Sequence, residues 1–153
     1  MSLCDFKRQD LEKNYNQLGQ DGKDGKTYLV TLKKKYSGEN YNLRKNTNIA
    51  IKTFKPKKSI AKIKKEIDFQ NLAAEIGVSI PIYDANFNEK YIVMPVLHGL
   101  PAKKYKHLPE SIQYQLCALM ARLDSINVLH GDMNALNVMT DQQGRVYMID
   151  FGF

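Results

Sequence analysis

The sequence is poor in the residues that build extracellular frameworks and membrane spans. It has two cysteines in 153 residues, and Cys4 and Cys117 are too far apart in sequence to indicate a disulfide framework or a metal–thiolate site. No run approaches the roughly 18 apolar residues of a membrane helix. The first residues lack the apolar stretch of a signal peptide. We therefore expect a reducing, cytoplasmic environment and no membrane partner. Cys117 lies in an apolar helical pattern, which predicts a position in the core.

Acidic residues are too few to balance the basic ones. There are 23 Lys and Arg against 16 Asp and Glu, which gives a net charge of +7. The surplus is concentrated in Lys33–Lys35 and Lys55–Lys58. A solvated basic face explains such runs, and attraction to the phosphates of ATP or RNA, or to an acidic partner, is the alternative. Tyr28, Tyr36 and Tyr41 fall in strand-like segments, which favours packing over stacking on nucleic acid.

The most informative residues lie near the end of the sequence. Asn137 follows Asp132 by five residues, and Asp150 follows Asn137 by thirteen. Phosphoryl transfer needs a group that orients the nucleophile and metal ions that neutralise charge on the phosphates. Magnesium prefers oxygen ligands and usually takes only one or two from protein. Asp132 therefore fits the catalytic acid–base role, and Asn137 with Asp150 fits a Mg²⁺ site.

These residues carry a family resemblance. His130-Gly131-Asp132, Asn137 and the triplet Asp150-Phe151-Gly152 resemble the signature of the protein-kinase-like superfamily. Gly131 stands where most eukaryotic protein kinases have Arg, so the sequence is more similar to atypical branches. These include aminoglycoside and choline phosphotransferases, RIO-like kinases and the small kinase of the KEOPS tRNA-modification complex.

The resemblance implies an α+β, protein-kinase-like fold. A β-rich N-lobe with one helix would cover residues 1–95. The hinge and a truncated helical C-lobe would cover residues 96–153, and would carry the catalytic loop. The resemblance also implies ATP and Mg²⁺ as cofactors.

A strand in the first half resembles another kinase element. Ile49-Ala50-Ile51-Lys52 is similar to the strand whose lysine contacts the α and β phosphates of ATP. Lys52 is therefore predicted to be catalytic. The alternative interpretation is that Lys52 is one exposed lysine among many, without a role in catalysis.

A helix that would support Lys52 is predicted over residues 59–76, because its apolar residues recur at helical spacing: Ile60, Ile63, Ile67 and Ala74. The resemblance implies a glutamate on this helix that pairs with Lys52. Glu66 and Glu75 are the candidates, and the similarity to the KEOPS-type helix favours Glu66. The alternative for Glu66 is a charge on the surface.

A glycine-rich turn precedes the first long β-type run. Gly19, Gly22 and Gly25 would let backbone N–H groups approach phosphates. Their spacing is one residue longer in the first gap than the kinase pattern, and a plain hairpin turn is the alternative.

The segment over residues 37–47 is polar, and this composition predicts a loop.

Two short strands are predicted over residues 81–84 and 91–97. In the resembled kinases the second leads into the hinge, so Met94 would lie at the back of the nucleotide pocket. Val96 would offer its N–H to adenine, because Pro95 has none. A buried strand without a ligand is the alternative.

The last third predicts a loop over residues 98–108, a long helix and a hairpin. The helix, over residues 109–127, has one apolar stripe typical of a core: Ile112, Leu116, Leu119, Leu123 and Ile126. The hairpin, over residues 137–140 and 146–149, would bring Asp150 back beside Asn137.

Together these residues predict an ATP- and Mg²⁺-dependent phosphotransferase, in the first instance an atypical serine/threonine protein kinase that can phosphorylate itself. A small-molecule phosphotransferase and a catalytically silent nucleotide-binding module are the alternatives. The sequence ends at Phe153, just after the Asp-Phe-Gly triplet. We expect a minimal kinase, a fragment, or a C-lobe completed by a partner or a homo-oligomer. The acceptor is a protein or a small molecule.

Overall fold

The computed structural model describes residues 1–18, 24–99, 109–126, 138–141 and 143–149. Over these residues the fold is α+β with a sheet-rich first part, as predicted. The helices, in chain order, are a short 3-10 helix (Leu3–Asp5), α1 (Arg8–Asn14), α2 (Ile60–Glu75) and α3 (Glu110–Ser125). Within the described ranges, none of the helices is long and apolar enough to span a membrane.

The strands of the described residues pair antiparallel in three sheets. A five-stranded sheet has the order β1-β2-β5-β7-β6, a three-stranded sheet the order β10-β9-β8, and β3 pairs with β4. Their bounds are β1 (Asn16–Leu18), β2 (Gly25–Thr31), β3 (Tyr36–Gly38), β4 (Tyr41–Leu43), β5 (Asn48–Phe54), β6 (Asp84–Asn86), β7 (Tyr91–Pro95), β8 (His98–Gly99), β9 (Val138–Thr140) and β10 (Val146–Met148).

The chain divides into two compact units. One comprises Met1–Ile63 with Ile82–Val96, and the other Lys64–Pro81 with Leu97–Phe153. Helix α2 therefore contributes its first turn to the first unit and the rest to the second. The predicted lobes, residues 1–95 and 96–153, stay a prediction.

The core of the first unit lies on one face of the five-stranded sheet. Successive side chains of a strand point to opposite faces, and alternate residues of the three central strands meet there: Tyr28, Val30, Ile49, Ile51, Tyr91 and Val93. Leu3 and Leu11 from the N-terminal segment are fully buried in the same cluster. Burying this many apolar side chains is the main stabilising contribution to the sheet.

The N-terminal segment is also hydrogen-bonded to this core. The Tyr91 hydroxyl donates to the carbonyl oxygens of Leu3 (3.1 Å) and Phe6 (3.0 Å). The backbone N–H of Leu3 donates to the Tyr41 hydroxyl at 3.0 Å. Desolvation by burial raises the pKa of Tyr91 well above its ordinary value, so this hydroxyl stays protonated and keeps donating.

The core of the second unit joins helix α3 to the β9–β10 hairpin. The predicted stripe packs as expected, with Leu119 and Leu123 buried against Val138, Val146 and Met148. Gln115 fixes the hairpin to the helix in addition: its Oε1 accepts from the Val146 N–H at 2.9 Å. The helix and the hairpin predicted from the sequence are therefore both present, with bounds shifted by one or two residues.

Helix α2 ends where the sequence predicts. Gly77 has a φ of 76°, a left-handed conformation that favours glycine. Its N–H donates to the Ala74 carbonyl (3.1 Å), and the Val78 N–H donates to the Ala73 carbonyl (2.9 Å). This pair of bonds is a Schellman motif, which satisfies the last carbonyls of the helix.

Several local predictions were wrong. The polar segment 37–47 is not only a loop, because β3 and β4 form a hairpin there with Gly38 opposite Tyr41. The first strand predicted over 81–84 begins at Asp84 instead. His98 is not in a loop but in β8, opposite Thr140.

Cys117 is exposed and not part of the core. The reason is its position on α3: it follows Leu116 by one residue, which is about 100° around a helix of 3.6 residues per turn. It therefore lies off the apolar stripe that packs against the hairpin.

Candidate functional site

Lys52 lies near the middle of β5, the central strand of the five-stranded sheet. Its neighbours across the sheet are Thr27 on β2 and Ile92 on β7. Only 7% of Lys52 is exposed. A lysine is almost never this buried unless it has a partner, and Lys52 is not without one. The alternative interpretation, an exposed lysine among many, is therefore wrong.

The register places further predicted residues on the face that carries Lys52. Directly opposed residues in an antiparallel pair share a face, and Ala50, two residues before Lys52, is opposed by Leu29 and Met94. Phe54, two residues after Lys52, is opposed by Gly25. This face, which we call the Lys52 face, is the reverse of the one that holds the core cluster.

The Lys52 face changes in character along the strands. At one end it is apolar, with Ala50, Leu29 and Met94; in the middle lie Lys52 and Thr27. At a rise of about 3.3 Å per residue, Ala50 and Lys52 are about 7 Å apart along the strand, and Ala50 and Phe54 about 13 Å. An apolar surface next to a cation is suited to a ligand with a flat aromatic base at one end and phosphates at the other.

The far end of the Lys52 face contains a second cation. The Nζ atoms of Lys52 and Lys58 lie 5.0 and 4.6 Å from the centroid of the Phe54 ring, which is fully buried. Lys58 Nζ also forms an ion pair with Asp24 Oδ2 at 3.2 Å. Asp24 directly precedes β2, so the end of the glycine-rich turn is tied to the segment that follows β5.

Lys90 holds the same segment from the other side. Its Nζ donates to the carbonyl oxygens of Pro56 (2.5 Å) and Lys58 (2.7 Å). The segment 55–59 connects the strand of Lys52 to helix α2. Lys90 and Asp24 therefore hold the lead-in to this helix with charge-assisted hydrogen bonds, which are stronger than neutral ones.

Gly25 has a structural reason to be glycine. A Cβ atom built on Gly25 would lie 1.7 Å from the carbonyl oxygen of Thr53. No side chain fits there without separating β2 from β5. Gly25 thus allows the close pairing next to Lys52, whether or not its backbone also contacts a phosphate. Gly19 and Gly22 lie outside the described residues.

Glu66 lies in the middle of α2 and is 1% exposed, whereas Glu75, the other candidate, is exposed. The buried stripe of the helix is Ile63, Glu66, Gln70 and Ala73. Of the predicted stripe, Ile63 is fully buried, whereas the prediction was wrong at Ile60, which is 41% exposed. A carboxylate inside such a stripe is costly unless it is paired, and Glu66 is not without a partner. The alternative of a surface charge is wrong.

Met94 and Val96 differ in their surroundings. Met94 is buried on β7 opposite Ala50, and Val96 is half-buried one residue past the end of the strand. Pro95 pairs with Ile49 at the end of β7. The strand thus ends at Pro95, earlier than the predicted residue 97.

The residues with the most specific sequence pattern, Asp132, Asn137 and Asp150, lie outside the described residues. The hairpin between the last two is described, and its turn is built on Asp141. Asp141 Oδ1 accepts from the N–H groups of Gln143 and Arg145, each at 2.9 Å. Gly144, with a φ of 78°, completes the turn.

Opposing effects act on the carboxyl group of Asp141. Desolvation raises its pKa, but the hydrogen bonds from Arg145 and Gln143 and the charge of Arg145 outweigh it, so the pKa lies below its ordinary value. The turn is therefore held by an ionised carboxylate at neutral pH.

A metal centre of three or more His, Cys, Asp or Glu residues does not occur in the described part of the chain. The predicted Mg²⁺ ligands, Asn137 and Asp150, are outside it. Their chemistry fits the ion, because an amide oxygen and a carboxylate are the hard oxygen donors that Mg²⁺ prefers.

Sequence reasoning missed three groups of the site. Thr27 and Leu29 on β2 share the Lys52 face. Side chains alternate between the two faces along a strand, so the residues on either side of the core residue Tyr28 could have been predicted to lie on the opposite face. Lys58 was taken only as part of a basic run. Its pairing with Asp24 joins two segments that are 34 residues apart, and no local pattern indicates such a contact.

The fold of the described residues is that of a kinase-like protein. The model of the RIO domain family matches residues 15–152, which is nearly the whole chain. The chain therefore belongs to the RIO domain family, an atypical branch of the protein-kinase-like proteins. The predicted superfamily and its atypical branch are confirmed.

Two kinds of characterised relatives are similar to the chain. A probable bifunctional tRNA threonylcarbamoyladenosine biosynthesis protein of Methanobrevibacter smithii is 25% identical over 124 residues, which cover 79% of this chain and 22% of that protein. A protein of the same description from Methanocaldococcus jannaschii is 28% identical over 89 residues, or 58% of this chain and 16% of that protein.

The second kind is serine/threonine-protein kinase rio2 of Dictyostelium discoideum. It is 28% identical over 89 residues, which cover 57% of this chain and 17% of that kinase. The chain thus spans about a fifth of the length of the relatives it matches.

Proposed function

We propose that this chain binds ATP with Mg²⁺ and transfers its γ-phosphoryl group to a hydroxyl, as an atypical serine/threonine protein kinase. The observation that carries the proposal is the Lys52 face. Its apolar end, with Ala50 and Met94, suits adenine, and its buried cation suits the phosphates. Membership of the RIO domain family and the similarity to the rio2 kinase support the same activity.

Each residue has a definite part in the proposed transfer. Lys52 binds the α and β phosphates and is held by Glu66. Asn137 and Asp150 hold Mg²⁺, which neutralises charge on the transferred group when bound. Asp132 orients the acceptor hydroxyl and accepts its proton. Most of the rate acceleration is positioning and electrostatic stabilisation, as in other phosphoryl transfers.

In this proposal, the adenine base binds at the apolar end of the Lys52 face. Met94 closes the back of the pocket, and the N–H of Val96 donates to adenine. Gly19, Gly22 and Gly25 bring backbone N–H groups to the phosphates. These assignments depend on the resemblance to kinases, and on the described positions of Gly25, Met94 and Val96.

The experiment is incubation of the chain with Mg²⁺ and γ-labelled ATP, beside an Asp150→Ala variant. Label on the protein that falls by at least about a hundredfold in the variant is expected, since the variant lacks a metal ligand of the transfer. The matched control is Asp10→Ala, an exposed acid on α1. Equal labelling of wild type and Asp150→Ala would contradict the proposal.

A second function is favoured by the two archaeal relatives. Both are described as probable bifunctional proteins of tRNA threonylcarbamoyladenosine biosynthesis, and one match covers 79% of this chain. The same nucleotide site would then serve a tRNA-modifying assembly, and a partner of that assembly would be the natural acceptor or regulator. Phosphate release from ATP that rises with tRNA, without label on this chain itself, would favour this function.

A further inference from the structure

The first unit carries a group of cations that the nucleotide site does not use. Lys33, Lys34 and Lys35 follow β2, and Arg44 and Lys45 precede β5. We call these five residues the hairpin-base patch, because the β3–β4 hairpin lies between the two runs. All five side chains are exposed.

Backbone hydrogen bonds hold the two runs beside each other. The Leu32 N–H donates to the Thr47 carbonyl (2.8 Å), and the Asn46 N–H donates to the Leu32 carbonyl (2.7 Å). At the hairpin end of the segment, Tyr36 is opposite Leu43, so Lys35 and Arg44 follow as neighbours at its base. The cations are therefore clustered by a fixed backbone and not merely by sequence.

The patch is not neutralised by acids of its own segment. Between Leu32 and Thr47 the one carboxylate is Glu39, in the turn of the hairpin, against five cations. Ion pairs in the described part of the chain include Arg8–Glu12, Lys58–Asp24 and Arg145–Asp141, and none of these three involves a residue of the patch. A concentrated positive field of this kind attracts polyanions.

The patch is also separate from the phosphate end of the Lys52 face. Gly25 and Phe54 pair at one end of the β2–β5 ladder, and Thr31 and Asn48 at the other, next to the patch. Lys52, opposite Thr27, is four residues or about 13 Å from the end next to the patch. The patch and the proposed phosphate contact of Lys52 are therefore at different places along the ladder.

The aromatic rings near the patch are already packed. Tyr36 stacks on Phe6, with centroids 5.8 Å apart and planes at 15°. Tyr41 is buried, and its hydroxyl donates to Asp84 Oδ2 at 2.9 Å. Tyr41 is therefore not available to unpaired bases and one face of Tyr36 is covered, so a ligand would be held mainly by charge.

The segment of the patch contributes no large exposed apolar side chain of its own. In the described ranges such side chains belong to other segments, namely Met1, Ile60, Leu72, Tyr114 and Met120, and Met1 lies beside the hairpin, because its carbonyl oxygen accepts from the Ser37 N–H at 3.2 Å. Protein partners are usually held by buried aromatic or aliphatic anchors, whereas a nucleic-acid backbone is bound mainly by Lys and Arg through its phosphates. Because the hairpin-base patch offers positive charge without an apolar anchor of its own, a nucleic-acid backbone suits it better than a protein partner.

We propose that the hairpin-base patch binds the sugar-phosphate backbone of a double-stranded nucleic acid, independently of its sequence. The contacts are made by Lys33, Lys35 and Lys45 among others, at a site distinct from that of ATP. The proposal does not depend on kinase activity.

The test uses the full chain without nucleotide and a fluorescent RNA hairpin of about 20 base pairs, titrated between about 50 and 200 mM salt. The variant is Lys33→Gln, Lys35→Gln and Lys45→Gln together. The control is Lys7→Gln, Lys13→Gln and Lys62→Gln, which removes the same charge at exposed positions outside the patch. A DNA hairpin and polyglutamate serve as further ligands, and thermal unfolding shows that each variant is folded.

We expect the patch variant to bind the RNA hairpin at least about tenfold more weakly, and its log K against log salt slope to fall by roughly two to three, since each phosphate contact contributes about 0.9. The control should retain most of the slope, and the DNA hairpin should bind within a few-fold of RNA. Equal losses in both variants, no binding by the wild type, or equal affinity for polyglutamate would each overturn the proposal.

Discussion

At the scale of single residues, Glu66 and Glu75 give the sharpest contrast. Both are on α2, but Glu66 belongs to the buried stripe and Glu75 is exposed. A polar residue in a buried stripe needs a partner to offset its desolvation. In a kinase-like protein, that requirement is consistent with an ion pair to the lysine that binds ATP, which is the role proposed for Glu66.

Glu66→Gln tests this role against the same change at Glu75. Glutamine keeps the size of the side chain but cannot hold a cation by charge, so Lys52 should lose its fixed position. We expect phosphoryl transfer to fall by roughly ten- to a hundredfold, the usual effect of a misplaced catalytic group. The measurement is the rate of label transfer from γ-labelled ATP.

Glu75→Gln should leave that rate unchanged, because the side chain is exposed. Thermal unfolding of both variants separates a loss of activity from a loss of folding. Equal rates in the two variants would contradict the role proposed for Glu66, and a lower melting temperature of Glu66→Gln alone would then leave it a structural role in the helix.

Candidate residues could be selected from sequence where the pattern is local to one element, and could not be selected where contacts join distant segments. Lys52 could be chosen from the four residues Ile49–Lys52, and its burial agrees with a special role. The pair Lys58–Asp24 could not be chosen, since its members meet only when the sheet has formed. Cys117 was misplaced because an apolar surrounding sequence does not define which way a helix residue faces.

At the scale of elements, the β2–β5 ladder is the support of the candidate site. Gly25 lies at its end, where a Cβ would be 1.7 Å from the Thr53 carbonyl oxygen. Thr53 directly follows Lys52, so any displacement here moves the strand that carries the lysine. The ladder therefore links a glycine of the turn to the position of Lys52.

Gly25→Ala should destabilise the first unit, by about 1–3 kcal/mol, the usual cost of forcing extra volume into a packed place. Lys26→Ala is the matched control, because Lys26 is the next residue of β2 and is exposed. The measurement is chemical unfolding with a probe of the sheet, together with affinity for ATP. If Gly25→Ala lost affinity for ATP with unchanged stability, its role would be at the phosphates and not in strand pairing.

The elements themselves were mostly predictable from periodicity. Helices α2 and α3 and the β9–β10 hairpin agree with the sequence patterns, because each has a clear apolar spacing or turn signal. The β3–β4 hairpin was missed because its residues are polar and its pairing is short. Its register depends on the turn between Gly38 and Tyr41 and on the hydrogen bond between Ser37 and Asn42 side chains (3.2 Å).

At the scale of the whole molecule, the first unit holds two different anion-attracting features. The Lys52 face is buried and mixed in character, which suits one small ligand with a base and phosphates. The hairpin-base patch is exposed and uniformly cationic, which suits an extended polyanion. Composition gives only the net charge of +7, which could not separate these two features.

The catalytic loop was the part of the chain most clearly indicated by sequence, and the Lys52 face is the part that the described residues define best. Asp132, Asn137 and Asp150 are proposed to act from that loop, and Lys52 is proposed to bind the phosphates. The match to the RIO domain family, over residues 15–152, includes all four positions. The proposed function therefore depends on whether the Lys52 face binds ATP.

The decisive measurement is calorimetric titration of ATP with Mg²⁺ into the wild-type chain, the Lys52→Met variant and a Lys13→Met control. Methionine preserves the length and packing of Lys52 while removing its charge. Loss of a hydrogen bond to a charged group costs about 1.5–3 kcal/mol, so the variant should bind about ten- to a hundredfold more weakly, with the control unchanged. Equal affinity in all three folded proteins, or no binding by the wild type, would contradict the assignment of the Lys52 face as a nucleotide site.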